Sequence, residues 1–402
     1  MSIFIAIIGL AFLILIHEAG HFFASLAVGL RPRKFYIGFP PPLVRTTRNG
    51  IEYGVGVVPL GGFVSIPGMH RPIPHDAERR FSRAVTELPT LAGPVDRVKR
   101  SLEGDDFAST LAALDELEED LHERKLSPGA LSSAEKGLTE LRDALGSDAY
   151  WKAPTWKRLV AIAAGPVANI ALTLVLFSFL ALTSAGKPSQ TIASVVASSP
   201  AAKAGLRPGD RIVAIDGAPV SGEELGERIV ESEGRPLVLT VVRGRTELEL
   251  GPVRAAETQD GYRLGIVREG EGLPPLEAVG RAFEVTGIVS KEIVLGLGRL
   301  FTSEGRRDVA SPIGITRVSS DAVEQGTESY LWVLGLISLS LALLNLLPLL
   351  PLDGGHILFT LIEGARGRFV KREVYERVSV IGLAVVLLLF FVGLSNDIGR
   401  LS

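Results

Sequence analysis

The sequence predicts a polytopic α-helical membrane protein with four transmembrane helices, an extracytoplasmic α/β domain and a cytoplasmic helical insertion. Two observations favour this fold class. Four long runs are apolar and almost free of charge, and a membrane span needs about 20 such residues. The remainder of the 402-residue chain is ordinary polar sequence, which suits folded segments outside the bilayer. The lipid bilayer is therefore the first partner that we expect.

The composition excludes several other classes of protein and site. The net charge is only −3, so the chain lacks the basic surface that would indicate nucleic acid as a partner. The sequence contains no cysteine, which excludes disulfides, thiol nucleophiles and cysteine-ligated metals.

The apolar runs and the basic residues beside them predict the topology. The predicted spans are residues 1–30, 157–185, 328–356 and 378–396. The first run lacks the charged start and the small-residue cleavage site of a signal peptide, so we expect it to be retained. Lysine and arginine cluster in residues 31–34, 152–158 and 366–377. All three clusters are cytoplasmic if both termini lie outside.

Two predicted segments separate the first span from the second. Residues 31–69 contain short alternating stretches between glycines, which is typical of a β-hairpin. Residues 70–150 form the cytoplasmic insertion, in which leucines recur at helical spacing on either side of Ser127-Pro128-Gly129. This pattern predicts an antiparallel helical hairpin over residues 105–145, with its acidic face in solvent.

The α/β domain is predicted from residues 190–255, in the segment between spans two and three. Its expected strands are Ile192–Val196, Arg211–Ile215 and Leu237–Arg243. A helix over Glu223–Glu231 is expected to begin after Ser221, because serine is a favoured N-cap residue. Residues 256–327 are predicted as an extracytoplasmic linker with helical content.

The first span carries a motif that indicates metal chemistry. His17-Glu18-Ala19-Gly20-His21 places two imidazoles four residues apart on one helix face, with Glu18 beside them to take a proton from water at the metal. His17 lies about 20 Å along the helix from Ile3, at membrane depth. Ionisable groups at that depth are costly unless they are paired, so a functional role is favoured over two packed histidines.

A catalytic zinc needs a third protein ligand and one open position. Asp353 is the best candidate, because it ends the third predicted span near the level of His17. His356 is either a fourth ligand or a group that orients Asp353 or faces the interface. The other three histidines, His70, His75 and His122, lie in polar sequence and are predicted to be surface residues.

These motifs together resemble the site-2 protease family of intramembrane zinc metalloproteases, of the bacterial regulator-of-sigma-E protease type. The segments that carry the resemblance are His17–His21, Pro59–Val64, Gly165–Asn169, Ser199–Asp210 and Leu352–Gly355. Ser199–Asp210 is similar to the peptide-binding-loop region of PDZ domains, which makes the α/β domain PDZ-like. The resemblance covers the chain except residues 70–149. The chain differs from the family in having a single PDZ domain and in carrying Ser311 where the family has glycine.

The resemblance implies specific roles. His17, His21 and Asp353 would bind Zn²⁺, Glu18 would be the general base, and Asn345 would hold the substrate strand or its oxyanion. The protein would lie in the bacterial cytoplasmic (inner) membrane, with its active site towards the cytoplasm. Its substrates would be single-pass membrane proteins, such as an anti-sigma factor or a remnant signal peptide, cleaved in regulated intramembrane proteolysis.

Other readings stay open at this level. One alternative is a metal-carrying module that binds peptides without cleaving them, but such a module would have no use for Glu18. Another is a metal transporter, which would need ionisable groups in spans two and four. The PDZ-like domain is either a spacer, a size filter or a reader of peptide C-termini by strand addition. The insertion is either a cap over the site or a tolerated surface segment.

Overall fold

The computed structural model describes residues 1–183, 187–258, 261–299, 302 and 311–399. The helices are α1 (Ser2–Ala27), α2 (Pro74–Glu87), α3 (Ala92–Glu103), α4 (Phe107–Glu123), α5 (Pro128–Leu145), α6 (Thr155–Thr183), α7 (Pro200–Lys203), α8 (Gly222–Glu231), α9 (Pro275–Arg299), α10 (Pro312–Gln325), α11 (Thr327–Asn345), α12 (Asp353–Arg366) and α13 (Arg372–Gly399). The strands are β1 (Lys34–Arg48), β2 (Ile51–Ser65), β3 (Lys187–Val195), β4 (Arg211–Ile215), β5 (Ala218–Pro219), β6 (Pro236–Arg243), β7 (Thr246–Arg254), β8 (Ala256–Thr258), β9 (Gly261–Arg263) and β10 (Ile266–Glu271).

Among the described residues, four helices are long and apolar enough to cross a membrane, namely α1, α6, α11 and α13. Their number agrees with the four spans predicted from the apolar runs. The described residues fall into two compact units. The first comprises Met1–Ile170, Val294–Glu324 and Ser338–Ser402, and the second comprises Ala171–Ile293 and Gln325–Ile337. Parts of the predicted span 157–185 and of the predicted linker 256–327 lie outside the described residues.

The third predicted span is not one continuous helix. Helix α11 ends at Asn345, and Asp353 begins the separate helix α12. Pro348 and Pro351 explain the break, because proline lacks the backbone donor of a helix interior and its ring clashes with the preceding turn. Asp353 therefore stands at the first turn of a new helix, and the prediction that it ends span three is wrong.

β1 and β2 form the predicted β-hairpin region, and both strands are 15 residues long. The turn between them contains Asn49 and Gly50, both with positive φ, as a tight hairpin turn requires. The strands bend so that Lys34–Ile37 pairs on one side with Glu52–Val55 and on the other with Gly62–Ser65. The last segment of β2 is thereby brought back beside the start of β1.

The insertion contains four helices, α2 to α5, rather than the single hairpin predicted over residues 105–145. The leucine stripes of α4 and α5 are buried against α2 and α3 in one continuous core. Its fully buried side chains include Phe81, Leu91, Val98, Leu114, Leu117, Leu121, Leu138 and Leu141. The predicted pair of helices exists, but it buries its apolar face with two further helices that the leucine spacing alone does not indicate.

The second unit contains the α/β domain. Its main sheet has the strand order β10-β3-β4-β6-β7, with β5 paired to β4. The three predicted strands correspond to β3, β4 and β6, and the predicted helix corresponds to α8. The Ser221 side chain accepts a hydrogen bond from the Glu224 backbone nitrogen, which confirms the predicted N-cap. The PDZ-like character of this domain remains an expectation.

Candidate metal centre

The two histidines of the first helix meet Asp353 in the interior of the first unit. His17 and His21 are one turn apart on α1, and each is 7% exposed. The His17 Nε2 and Asp353 Oδ2 atoms are 3.1 Å apart, and His21 Nε2 is 3.3 Å from each of these two atoms. The donor atoms of two histidines one turn apart and of an aspartate 336 residues after His17 therefore form a nearly equilateral triangle.

The dimensions of this triangle fit a zinc ion. Zinc takes imidazole nitrogens and carboxylate oxygens at about 2.0–2.2 Å in tetrahedral geometry, which separates neighbouring ligand atoms by about 3.3–3.6 Å. The observed separations of 3.1–3.3 Å are close to those of one tetrahedral face. In the described part of the chain, this is the group of His, Asp and Glu side chains that could hold a metal ion. A tetrahedral ion held by these three atoms would keep its fourth position for water or substrate.

Helix α6 orients both imidazole rings. His21 Nδ1 donates a hydrogen bond to the Ala161 carbonyl oxygen at 2.9 Å, which leaves the lone pair of Nε2 directed at the centre. The side-chain amide of Asn169, fully buried, lies 3.4 Å from His17 Nδ1. When Nε2 binds a cation, Nδ1 carries the proton and the amide oxygen of Asn169 is the matching acceptor.

Close packing of α1 on α6 makes these contacts possible. A Cβ atom at Gly165 would overlap the ring of His21, and one at Gly20 would overlap the backbone of Ala164. Small residues at a helix crossing let two backbones approach closely in a membrane protein. Gly165 therefore provides the space that the second imidazole occupies.

Glu18 lies between the two histidines in sequence and packs against β2. A Cβ at Gly62 would overlap the Glu18 side chain, which places this segment of β2 against Glu18. Glu18 is half-buried, and its charge interacts with those of His17, His21 and Asp353. A carboxylate therefore lies near the three candidate ligands and beside an extended segment of backbone.

The start of α12 is shaped by the loop before it. A Cβ at Gly354 would overlap the carbonyl oxygens of Leu346 and Leu347, and one at Gly355 would overlap the backbone of Leu350. The Leu352–Gly355 motif is thus explained by a tight fold of the chain around the beginning of the helix, which aims Asp353 at the histidines.

Comparison with known proteins supports the same reading of the chain. The family model "Peptidase family M50" matches residues 5–389. The chain belongs to peptidase family M50. The zinc metalloprotease RasP of Geobacillus kaustophilus is 29% identical over 96% of this chain and 95% of its own length. The regulator of sigma-W protease RasP of Bacillus subtilis is 29% identical over 97% and 96%, and the probable protease eep of Enterococcus faecalis is 27% identical over 99% and 98%.

The protein is therefore a zinc metallopeptidase and a multi-pass membrane protein. The matched stretches run across residues 70–149, because 96–99% of this chain is covered. The expectation that the resemblance excludes residues 70–149 is therefore wrong, because the relatives also match this segment. The predicted family, the enzyme class and the zinc cofactor are confirmed.

The remaining predicted residues of this M50 peptidase are not members of the donor triangle, which comprises His17, His21 and Asp353. Nδ1 of His356 is 2.8 Å from the Tyr375 hydroxyl, and His356 is not in the metal-ligating group. The ring of His70 also contacts Tyr375, at 4.5 Å between centroids. Asn345, the last residue of α11, donates its amide to the Leu341 carbonyl oxygen at 3.0 Å. His75 is exposed on α2.

The sequence reasoning missed the residues that orient the ligands. Asn169 was part of a motif but had no role, and the Ala161 carbonyl cannot be recognised from residue type. A signal for Asn169 exists, because it is a lone amide within an apolar span and such a group needs a buried partner.

Proposed function

We propose that this M50 peptidase is an intramembrane endopeptidase that hydrolyses a peptide bond within the transmembrane segment of a single-pass membrane protein. One observation carries the proposal. The metal-ligating histidines and Glu18 lie in the interior of α1, a helix of 26 residues that is apolar enough to cross a membrane. A soluble substrate would have no access at that depth, whereas a membrane-spanning segment would already be there.

The proposed roles follow from the geometry. His17, His21 and Asp353 hold the zinc, and Ala161 and Asn169 fix the orientation of the two rings. Zinc, when bound, supplies Lewis-acid activation of water and of the substrate carbonyl. Glu18 takes the proton of the attacking water and delivers it to the leaving amide nitrogen, as its position beside the donor triangle allows.

The substrate backbone must be extended before it can be cut, because the amides of a membrane helix are engaged in its own hydrogen bonds. The segment Gly62–Ser65 of β2 lies against Glu18, and an extended substrate held along it would bring its amide to the base. Asn345 is proposed to bind the substrate strand or its oxyanion. In that role its amide would exchange the Leu341 carbonyl for a substrate oxygen.

The setting in the cell is proposed from the basic clusters and the resemblance. Both termini and the PDZ-like domain would be extracytoplasmic, the insertion cytoplasmic, and the membrane the bacterial cytoplasmic (inner) membrane. One relative is named a regulator of sigma-W protease. This name supports a membrane-anchored anti-sigma factor as substrate, with a remnant signal peptide as the other candidate. A peptide ligand of the PDZ-like domain is part of the same proposal.

Glu18→Gln tests the proposal directly. The variant and the wild type are co-expressed with candidate single-pass membrane proteins, and cleavage is followed by the size of the fragments. We expect cleavage to fall by about 10²–10⁴-fold, the usual contribution of a general base. The control is His75→Ala, on the exposed face of the insertion, which should cleave as the wild type does. Wild-type cleavage by Glu18→Gln would refute the assignment of the base.

A further inference from the structure

Helices α6 and α12 meet along a polar seam that neither the motifs nor the proposed mechanism uses. At the start of α6, Arg158 hydrogen-bonds Glu363 of α12, and both side chains are 9% exposed. The other carboxylate oxygen of Glu363 accepts a hydrogen bond from the Val370 backbone nitrogen at 2.9 Å. Thr360 lies 3.4 Å from the Arg158 guanidinium and 3.2 Å from the Tyr150 hydroxyl. Every oxygen of the Glu363 carboxylate is therefore engaged.

The seam and the metal centre share the same faces of the two helices. On α12, Asp353, Thr360 and Gly364 are spaced by 7 and 11 residues, which returns them to one face at 3.6 residues per turn. On α6, the same spacing relates Arg158 to Gly165 and Asn169. Thr360 and Gly364 thus lie on the face of α12 that carries Asp353, and Arg158 lies on the face of α6 that carries Gly165 and Asn169. Glu363 is at the edge of that face of α12, next to Gly364 in sequence.

The contacts fix how far each helix is displaced along the other. Gly364 is so close to Thr155 that a Cβ would overlap its side chain, and Arg158 meets Glu363 and Thr360. The two helices therefore run antiparallel, so that later residues of α6 lie beside earlier residues of α12. The 11 residues from Gly364 to Asp353 span about 16 Å, and the 10 residues from Thr155 to Gly165 span about 15 Å. Asp353 arrives at the level of Gly165, where the ring of His21 is packed.

We propose that Arg158 and Glu363 are a positioning pair that sets the register of α12 on α6 and thereby the affinity of the site for zinc. A buried ion pair is a weak source of stability, because desolvation offsets its attraction. It does disfavour every other register of the two helices, because a register that separates the charges leaves each of them buried and unpaired. A slip of one helical turn would move Asp353 by about 5.4 Å. The donor triangle has sides of only 3.1–3.3 Å and would not survive it. The inference rests on the ligand assignment proposed above.

Two substitutions separate positioning from stability. Glu363→Gln keeps the volume of the side chain and removes its charge. The double variant Arg158→Met/Glu363→Leu replaces the pair by apolar side chains of similar size, a change that generally preserves or raises stability. The measurements, on protein purified in detergent, are the dissociation constant for zinc by chelator competition and the unfolding temperature of the zinc-free protein.

We expect Glu363→Gln to weaken zinc binding by about 10-fold or more, because Asp353 is held at the level of His21 only while α12 keeps its register on α6. The double variant should regain the wild-type unfolding temperature in the zinc-free state and still bind zinc at least about 10-fold more weakly. Wild-type zinc affinity in either variant would overturn the proposal.

A control uses another ion pair of the same unit, whose carboxylate is buried. Asp76 of α2 accepts two hydrogen bonds of 2.6 Å from Arg372 at the start of α13. Asp76→Asn should lower the unfolding temperature and leave zinc affinity unchanged. Asp353→Ala is measured alongside. If it binds zinc normally, the ligand assignment is wrong; if it loses zinc while Glu363→Gln keeps it, only the positioning role fails.

Discussion

The helical insertion and the metal centre are stabilised by different interactions, namely apolar packing in the first and specific polar and backbone contacts in the second. The insertion packs apolar side chains from four consecutive helices into a core of its own, with Phe81, Leu114 and Leu117 fully buried. The metal centre brings together three segments up to 336 residues apart in sequence, and a carbonyl oxygen, an amide and two glycines position its side chains. A core of this kind tolerates volume-conserving changes, whereas the centre depends on individual atoms.

This difference predicts two separable responses to mutation. Changes in the insertion should alter the free energy of unfolding and leave zinc binding as it is. Changes around the centre should alter zinc binding with a smaller effect on unfolding of the zinc-free protein. The following predictions are ordered from the largest expected effect to the smallest.

Asp353→Ala should reduce cleavage to less than about 0.1% of the wild-type rate, because a ligand and a charge are lost at once. Zinc per chain, measured by elemental analysis after purification, should fall in parallel. His122→Ala on α4 is the control and should keep both zinc and activity. Full zinc occupancy in Asp353→Ala would remove this residue from the ligand set.

Gly165→Ala should weaken zinc binding by about 10–100-fold, because the new methyl group would occupy the space of the His21 ring. Gly93→Ala in α3 is a matched change, since a Cβ there meets nothing within 4 Å. That control should leave zinc binding unchanged. The zinc dissociation constant is measured for both variants. Equal zinc affinities in the two variants would contradict the close packing of α1 on α6.

Leu117→Ala should destabilise the insertion by about 2–5 kcal/mol, the usual cost of a cavity at a fully buried leucine. Hydrogen exchange over α2 to α5 would report the loss, and zinc content should stay at the wild-type level. Leu111→Ala, at a position 37% exposed on the same helix, should cost far less. Loss of zinc in Leu117→Ala would show that the insertion core supports the centre, and the proposed separation would fail.

The smallest effect concerns pH. The Arg142 guanidinium, 2.7 Å from Glu118, holds the pKa of that carboxyl below its ordinary value. Because the folded pKa is lowered, the stabilisation is present above the unfolded pKa of about 4.3 and is lost as pH falls through the folded value. The pair is largely exposed, so it contributes less than about 1 kcal/mol. The free energy of unfolding of the insertion should fall slightly more between pH 7 and pH 3 in the wild type than in Glu118→Gln. Equal decreases in the two proteins would contradict the assignment.

The sequence predicts those features that depend on local spacing. The apolar runs predict four spanning helices, the four-residue spacing brings His17 and His21 to one helix face, and Ser221 correctly predicts where α8 begins. Each of these depends on residues within a turn or two of one another. The same reasoning identified the insertion as helical but found only α4 and α5, whose leucines are the most regular.

Features that depend on contacts between distant segments were not predictable. The prolines indicate a disturbed helix between Asn345 and Asp353, but the residue at which α12 begins depends on how the loop packs around Gly354 and Gly355. The orientation of His21 depends on a backbone carbonyl, which any residue type provides. Arg158 and Glu363 each look like a flanking charge near a membrane boundary. Only the packing of α6 on α12 shows that they are buried against each other.

The measurement that tests the central claim most directly is X-ray absorption at the zinc edge of the purified protein. Two imidazoles and a carboxylate oxygen at about 2.0–2.2 Å are expected in the wild type. The contribution of one imidazole should disappear in His21→Ala, whose ring faces the other two donors at 3.3 Å. A wild-type spectrum with two imidazoles that is unchanged in His21→Ala would contradict the account, because the zinc would then be held elsewhere.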